Sequence, residues 1–195
     1  MRIICVNTGN KFGQWYVDNL KHMIDNYSGL KYDSFEVIEE EKYKGVFNKL
    51  QMFDKFRDGE NLYFDLDVCI YGRLPNLVRK DLTVLKAWWR DRYHTSLNSS
   101  IISWTGDQSL IYKVFLSNTK KYEEKYNKGI DQMLEEMYNP KTYDKVCYSI
   151  QNHIYEKVPN SNFNMVLFNQ SQYLMNEGWS NWWNSCFLPK SGYKF

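Results

Sequence analysis

The sequence predicts a single α/β domain, and three observations carry that prediction. An apolar, β-branched run over 2–6 ends in the polar turn Asn7-Thr8-Gly9. A second apolar run, Leu62-Tyr63-Phe64, ends in two aspartates at alternate positions. Between and after these runs lie stretches whose apolar residues recur at helical spacing, the alternation that builds a sheet flanked by helices. The 195 residues fit one domain, and a chain that is 43% hydrophobic and 25% charged is expected to fold. Twenty-five basic against 23 acidic residues leave a net charge of +2, too little excess for a protein that neutralises nucleic-acid phosphates. No apolar run approaches the roughly 18 residues of a membrane span, and the opening run stops at Asn7, short of a signal-peptide core. The expectation is a cytoplasmic protein with no membrane span. Cys5, Cys69, Cys147 and Cys186 are widely spaced, which fits small buried hydrophobes better than a zinc site or a disulfide. The aromatic content of 17% and the single alanine, Ala87, are read first as a composition bias and only second as surfaces that stack on sugars or bases.

Each element follows in order. The run over 2–6 reads as a buried strand that delivers a polar turn at its carboxyl end. Trp15, Val17, Leu20, Met23, Ile24 and Tyr27 recur near a period of 3.6, predicting a helix over 14–26 that stops at Gly29. Residues 35–38 read as a second strand, and the charged run over 39–44 as a solvated loop. Phe47, Leu50, Phe53 and Phe56 are three apart, one face of a helix over 47–56. The run over 62–64 suits a central strand covered on both faces. Further strands are expected at 82–85, 101–104, 146–150 and 165–168, with helices at 108–116 and 129–138.

Asp65-Leu66-Asp67 follows the central strand directly. Two carboxylates at the carboxyl end of an open sheet stand where such sheets bind ligands. Magnesium or manganese is commonly held by one or two carboxylates, with substrate phosphates and waters completing the shell, so Asp65 and Asp67 suffice for Mn²⁺ or Mg²⁺. A pair of turn aspartates is the plainer reading. Flanked by Leu62-Tyr-Phe and Val68-Cys-Ile, however, the carboxylates would be half-buried, and burying charge is costly unless it is paired or metal-bound.

Two enzyme classes carry this pattern. Haloacid-dehalogenase-like phosphatases also place Asp-x-Asp after an apolar strand, but near the N-terminus and with a late acidic motif; Gly106-Asp107 is followed here by Gln-Ser-Leu-Ile. The chain resembles more closely the small bacterial and phage glycosyltransferases of the GT-A fold, which are distantly glycogenin-like. That resemblance rests on Ile3-Ile-Cys-Val-Asn-Thr-Gly9, Trp15-Tyr-Val-Asp-Asn-Leu20, Asn48-Lys-Leu-Gln-Met-Phe53, Leu62-Tyr-Phe-Asp-Leu-Asp-Val68, Leu97-Asn-Ser-Ser-Ile-Ile-Ser-Trp104 and Gly129-Ile-Asp-Gln132, taken in that order.

The resemblance implies a GT-A-like domain with a mixed, mostly parallel sheet, moving a sugar from a nucleotide-diphosphate donor, a UDP-sugar first, to a glycan, lipid or protein acceptor. It implies that Val6, Asn7 and Thr8 cradle the nucleoside, that Lys49 reaches the phosphates or sugar, and that Asp65, Leu66 and Asp67 form the metal and donor site. It also implies that Asn98 and Ser99 hydrogen-bond sugar hydroxyls and that Asp131, with Gln132, faces the transferred sugar or acceptor as the catalytic carboxylate. The chain departs from the family where many members close the metal site with a late His-Gly: here Met165-Val-Leu-Phe168 is followed by Asn169-Gln-Ser-Gln. Asn169 through its carbonyl, or His153, is the candidate third metal ligand, or neither is and the donor's pyrophosphate completes the shell. A degenerate module that binds nucleotide or glycan without turnover is the alternative, and a phosphatase the remoter one.

Overall fold

The structure is a computed structural model that describes residues 1–150, 163–169, 175 and 185–193. His153 and the tail tryptophans Trp179, Trp182 and Trp183 lie outside the described residues.

The sheet begins with β1 (Arg2–Val6), whose Ile3, Ile4 and Cys5 are fully buried. Because successive side chains of a strand point to opposite faces, Ile3 and Cys5 enter one apolar cluster and Ile4 the other. β1 is flanked on both sides by parallel partners, β2 (Ser34–Ile38) and β3 (Glu60–Phe64). Beyond β3 the order continues through β6 (Leu97–Thr105), β5 (Thr83–Lys86) and β7 (Lys141–Tyr143), giving a six-stranded sheet of order β2-β1-β3-β6-β5-β7. β6 is antiparallel to both neighbours, while β5 and β7 are parallel, so the sheet is mixed with β6 as its one reversed strand. A second, three-stranded sheet joins β4 (Val68–Ile70), β9 (Met165–Leu167) and β8 (Tyr148–Ser149).

One face of the large sheet is covered by α1 (Gln14–Met23), whose Trp15, Leu20 and Met23 are fully buried. The expected helix over 14–26 is longer than expected and changes pitch: a π-helical turn, Ile24–Ser28, continues α1 to Gly29, which ends it at φ 69° as a left-handed cap. Leu188 is pinned to α1 by its N–H on Asn19 Oδ1 (2.8 Å) and by its carbonyl, which accepts from Trp15 Nε1 (3.2 Å). The other face carries α2 (Gln51–Lys55), α3 (Ser109–Ser117) and α5 (Ile130–Tyr138). The segment read as a helix over 47–56 is a 3₁₀ helix, Gly45–Leu50, that passes into the five-residue α2. The tighter winding still buries Phe47, Leu50 and Phe53. A short helix, α4 (Thr119–Lys125), and strand β7 were not expected: α4 buries no residue and β7 only Tyr143, so neither displays an apolar period. β6 is nine residues long where four were expected, and the difference shapes the site.

Candidate active-site cleft

The carboxyl ends of β1 and β3 open on a two-lobed cleft. The first lobe, about 300 Å³, is lined by Val6, Thr8, Lys11, Phe12, Glu41, Val46, Tyr63, Leu66 and neighbouring backbone. The second, about 170 Å³, is lined by Arg90, Asn98, Ser99, Ser100, Lys128, Ile130, Asp131 and Asn169. Lys11, Val46, Lys49, Asp65 and Asp67 line both, so the aspartates stand at the junction.

Backbone hydrogen bonds from both sheets fix those aspartates. Asp65 N–H donates to Ser100 O (2.9 Å) in the large sheet, and Asp67 O accepts from Phe168 N–H (3.0 Å) beside the small one. Leu66 is buried between them, anchoring the turn with a side chain whose burial is worth about 2 kcal/mol. The turn that carries them between β3 and β4 brings Asp65, Leu66 and Asp67 all to the wall of the first lobe.

Lys49 meets this pair from the 3₁₀ helix. Its Nζ lies 2.6 Å from Asp65 Oδ1, 3.3 Å from Ser99 Oγ and 5.3 Å from the centre of the Tyr63 ring. The Tyr63 hydroxyl donates to the same Asp65 oxygen. Burial, and then the charge of Asp65, push the Tyr63 hydroxyl far above its ordinary pKa, so it remains a proton donor.

The Asn98-Ser99-Ser100 segment, expected to meet sugar hydroxyls, forms a bulge within β6. Val84 of β5 pairs with Ile102 and the next residue, Leu85, pairs with Asn98, so 99–101 are looped out of that ladder. Asn98 Oδ1 accepts from Ser100 N–H (3.0 Å) and holds the bulge, which turns strand residues toward the cleft. Ser99 N–H donates to Asp131 Oδ1 (2.9 Å). Asp131 sits in the first turn of α5, where the helix dipole favours a carboxylate. Its Oδ2 receives Arg90 Nη1 (2.9 Å), which also donates to Thr95 Oγ1 (2.6 Å) and Leu97 O (2.5 Å).

The cleft thus gathers Val6, Thr8, Lys49, Asp65, Leu66, Asp67, Asn98, Ser99, Asp131 and Asn169 from the residues singled out in the sequence. Asn7 contributes differently: its N–H donates to Ile38 O (2.9 Å), and its buried Oδ1 has no hydrogen-bond partner among the described residues. Gln132 is not among the residues lining the two lobes: its Oε1 accepts from Lys128 N–H (3.4 Å) and its Nε2 donates to Glu136 Oε1 (2.9 Å), because one residue beyond Asp131 the helix has turned about 100°. Asn169 sits on the cleft in the left-handed conformation (φ 41°) that asparagine tolerates, its Nδ2 donating to Ser149 Oγ (2.7 Å). With Nδ2 bonded to Ser149, the side-chain carbonyl oxygen is the Asn169 atom with the chemistry of a hard-cation ligand.

Sequence reasoning missed Arg90, Lys11, Phe12, Val46, Lys128 and Glu41. Glu41 belongs to the run read as a solvated loop, yet its carboxylate lies over Gly9, where a Cβ would come within 3.4 Å of Oε1. Gly9, at φ 69°, marks a close approach that the turn signal alone did not assign. Arg90 carried no signal, because its partner Asp131 is 41 residues away.

Whether the donor set fits a divalent cation can be read from its chemistry. Among the described residues no three His, Cys, Asp or Glu side chains gather as a protein cage. Two carboxylates with an adjacent amide carbonyl are hard oxygen donors, suited to magnesium or manganese sharing its shell with phosphate and water. The charges agree. Along the described walls, Glu41, Asp65, Asp67 and Asp131 are balanced by Lys11, Lys49, Arg90 and Lys128, so a diphosphate entering alone would leave the cleft negative, and a divalent cation offsets it.

No protein-family model matches the sequence, nor does any curated protein. Solved structures do match in fold. A glycosyltransferase involved in glycosylating the major capsid of PBCV-1 aligns with a TM-score of 0.64 at 15% identity, covering 92% of this chain and 99% of that one. The glycosyltransferase GlyE of Streptococcus pneumoniae TIGR4 aligns at 0.62 and 12% identity over 95% of this chain and 62% of GlyE. The galactosyltransferase LgtC, solved in complex with donor and acceptor sugar analogs, aligns at 0.55 and 8% identity over 86% and 87% of the two chains. The architecture, an α/β domain with a mixed central sheet flanked by helices, matches that of the GT-A glycosyltransferases. Among the described residues no helix is long and apolar enough to cross a membrane.

Proposed function

We propose that this chain is a metal-dependent glycosyltransferase that moves a sugar from a nucleotide-diphosphate donor, with a UDP-sugar the first to test, to a glycan, lipid or protein acceptor. One observation carries the reading: Asp65 and Asp67 stand where an apolar lobe meets a charged one, at the carboxyl ends of parallel strands. In this reading the nucleoside lies in the first lobe, with Val6 and Thr8 beneath it and Phe12 and Glu41 at its side. The diphosphate lies at the junction, where Lys49 and Lys11 supply point charges suited to phosphate. The sugar lies in the second lobe. There Asn98, Ser99 and Asp131 meet its hydroxyls, since each Asp131 oxygen keeps a lone pair beyond the one already bonded.

Asp65, Asp67 and the Asn169 carbonyl would hold Mn²⁺ or Mg²⁺, which, when bound, supplies positive charge against the departing diphosphate. The residues of the chain do the rest. Arg90 fixes Asp131, Ser99 N–H fixes the other Asp131 oxygen, and the bulge in β6 holds both in place before a substrate arrives.

The test is release of free nucleoside diphosphate from UDP-, GDP-, CDP- and dTDP-sugars with and without Mn²⁺. Release is expected from at least one donor, with manganese present. The double variant D65A/D67A should keep its circular dichroism spectrum and lose about 10²–10³-fold in release, the scale of removing charge stabilisation from a transition state. Undiminished release in that variant removes the metal role, and tight nucleotide binding with no release in the wild type leaves a binding module.

A further inference from the structure

The cleft holds a cation of its own. The Lys49 side chain is 11% exposed and that of Asp65 20%, so their contact at 2.6 Å is largely shielded from water. It is made at the same Asp65 oxygen that the Tyr63 hydroxyl addresses. Lys49 has a second station within reach, since its Nζ is already 3.3 Å from Ser99 Oγ and 3.5 Å from Ser99 O, on the sugar side of the junction. A lysine is well suited to move between two such stations: its ammonium is a point charge with rotatable donors on a flexible stem.

Resting on the metal-site reading above, we infer that Lys49 is an internal counter-ion that occupies Asp65 until a nucleoside diphosphate arrives. The diphosphate draws the ammonium away, Asp65 becomes available to the divalent cation, and cation and nucleotide bind as a coupled pair. The physical reason is charge. A cation approaching the ligand-free protein meets an Asp65 already neutralised and must displace a desolvated ammonium that has no phosphate to go to. Once diphosphate is present the ammonium gains a new anionic partner, and the cation meets two carboxylates and phosphate oxygens. Coupling of this kind is reciprocal: the nucleotide raises cation affinity by the factor by which the cation raises nucleotide affinity.

The test reads binding, not turnover. Free Mn²⁺ is followed by electron paramagnetic resonance as manganese alone is titrated into the wild type, K49M and K49R. UDP, GDP, CDP and dTDP affinities are measured by calorimetry with and without Mn²⁺. In the wild type, Mn²⁺ should tighten one nucleoside diphosphate by about tenfold or more, the usual range of such couplings. K49M, which keeps the stem and removes the charge, should bind Mn²⁺ alone about tenfold tighter than the wild type, with the coupling to nucleotide reduced by a similar factor. K49R should stay near the wild type in Mn²⁺ binding. Equal Mn²⁺ affinity in K49M and wild type, with coupling intact, overturns the role of Lys49 and leaves the proposed function standing. Wild-type protein that binds Mn²⁺ equally well with and without nucleotide overturns it even if K49M fails to fold. If no variant binds Mn²⁺ under any of these conditions, the metal-site reading fails and takes the inference with it.

Discussion

The first lobe of the cleft is walled largely by Val6, Phe12, Val46, Leu66 and backbone, whereas the second is walled by Arg90, Asn98, Ser99, Lys128, Asp131 and Asn169. The first owes its form to packing and tolerates change wherever its side chains keep their volume. The second owes its form to ion pairs and hydrogen bonds between distant segments: Arg90 to Asp131, Lys49 to Ser99, Ser99 N–H to Asp131. The difference teaches where this domain is fragile. A polar wall largely withdrawn from water is held in place only while each member keeps its partner, because an abandoned buried charge costs more than the pair contributes.

The largest effect is therefore expected from Arg90→Met. It strips Asp131 Oδ2, Thr95 Oγ1 and Leu97 O of a shared donor and leaves a carboxylate 12% exposed without its cation. The expected loss is about 3–5 kcal/mol in urea unfolding, together with loss of sugar-dependent release. Val46→Ala in the apolar wall should cost less than about 0.5 kcal/mol, since Val46 is half exposed. R90M/D131L, which removes both charges, should recover most of the stability and none of the release. Equal costs for R90M and V46A would break the contrast between the lobes.

A middle effect is expected at Gly129, which backs the Val46 side chain shared by the two lobes. Gly129 stands at φ 75°, ψ −156°, a region open essentially to glycine alone, and a Cβ there would come within 2.6 Å of Val46 Cγ2. Val46 lines both lobes, so Gly129→Ala acts on each. The strain predicts a loss of about 1–3 kcal/mol, read from the urea midpoint, with weaker nucleotide binding by calorimetry because Val46 is displaced over the junction. Wild-type stability in G129A would mean that the backbone at this point moves freely.

These contrasts also mark what could be read from the sequence. β1 and β3 were legible because strands covered on both faces are written as unbroken apolar runs, and Asp65 and Asp67 were legible because charge directly after such a run is unusual. The left-handed stop at Gly29 and the helix over Ile130–Tyr138 carried local signals as well. The charged lobe was legible only in part. The Asn98–Ser100 bulge follows from a register shift against β5, and no local pattern encodes register with a partner strand. Arg90 meets Asp131 across 41 residues, and Glu41 reaches Gly9 only because β1 and β2 pair in parallel. Residues whose role is pairwise are invisible until the fold supplies the pair. Gln132 illustrates the converse, since adjacency to Asp131 in sequence places it on another face of the same helix, where it bonds to Glu136.

The smallest effect tests the floor beneath the apolar lobe. Cys5, on β1 directly before Val6, is fully buried, and burial first, then the charges of Glu39 and Asp65, push its thiol up to about 12. A thiol held protonated is inert, because the thiolate is the nucleophile. Maleimide labelling followed by peptide mass spectrometry should find Cys5 unmodified in native protein at pH 7–8 and modified in urea. The sign of the linked stability follows: a folded-state pKa above the unfolded one favours the fold at neutral pH. That contribution declines as pH rises from the ordinary thiol range toward about 12. Native-state labelling of Cys5 at the rate of a free thiol would mean that water reaches behind Val6. The first lobe would then be wet and polar at its base, and the contrast with the second would lose its physical ground.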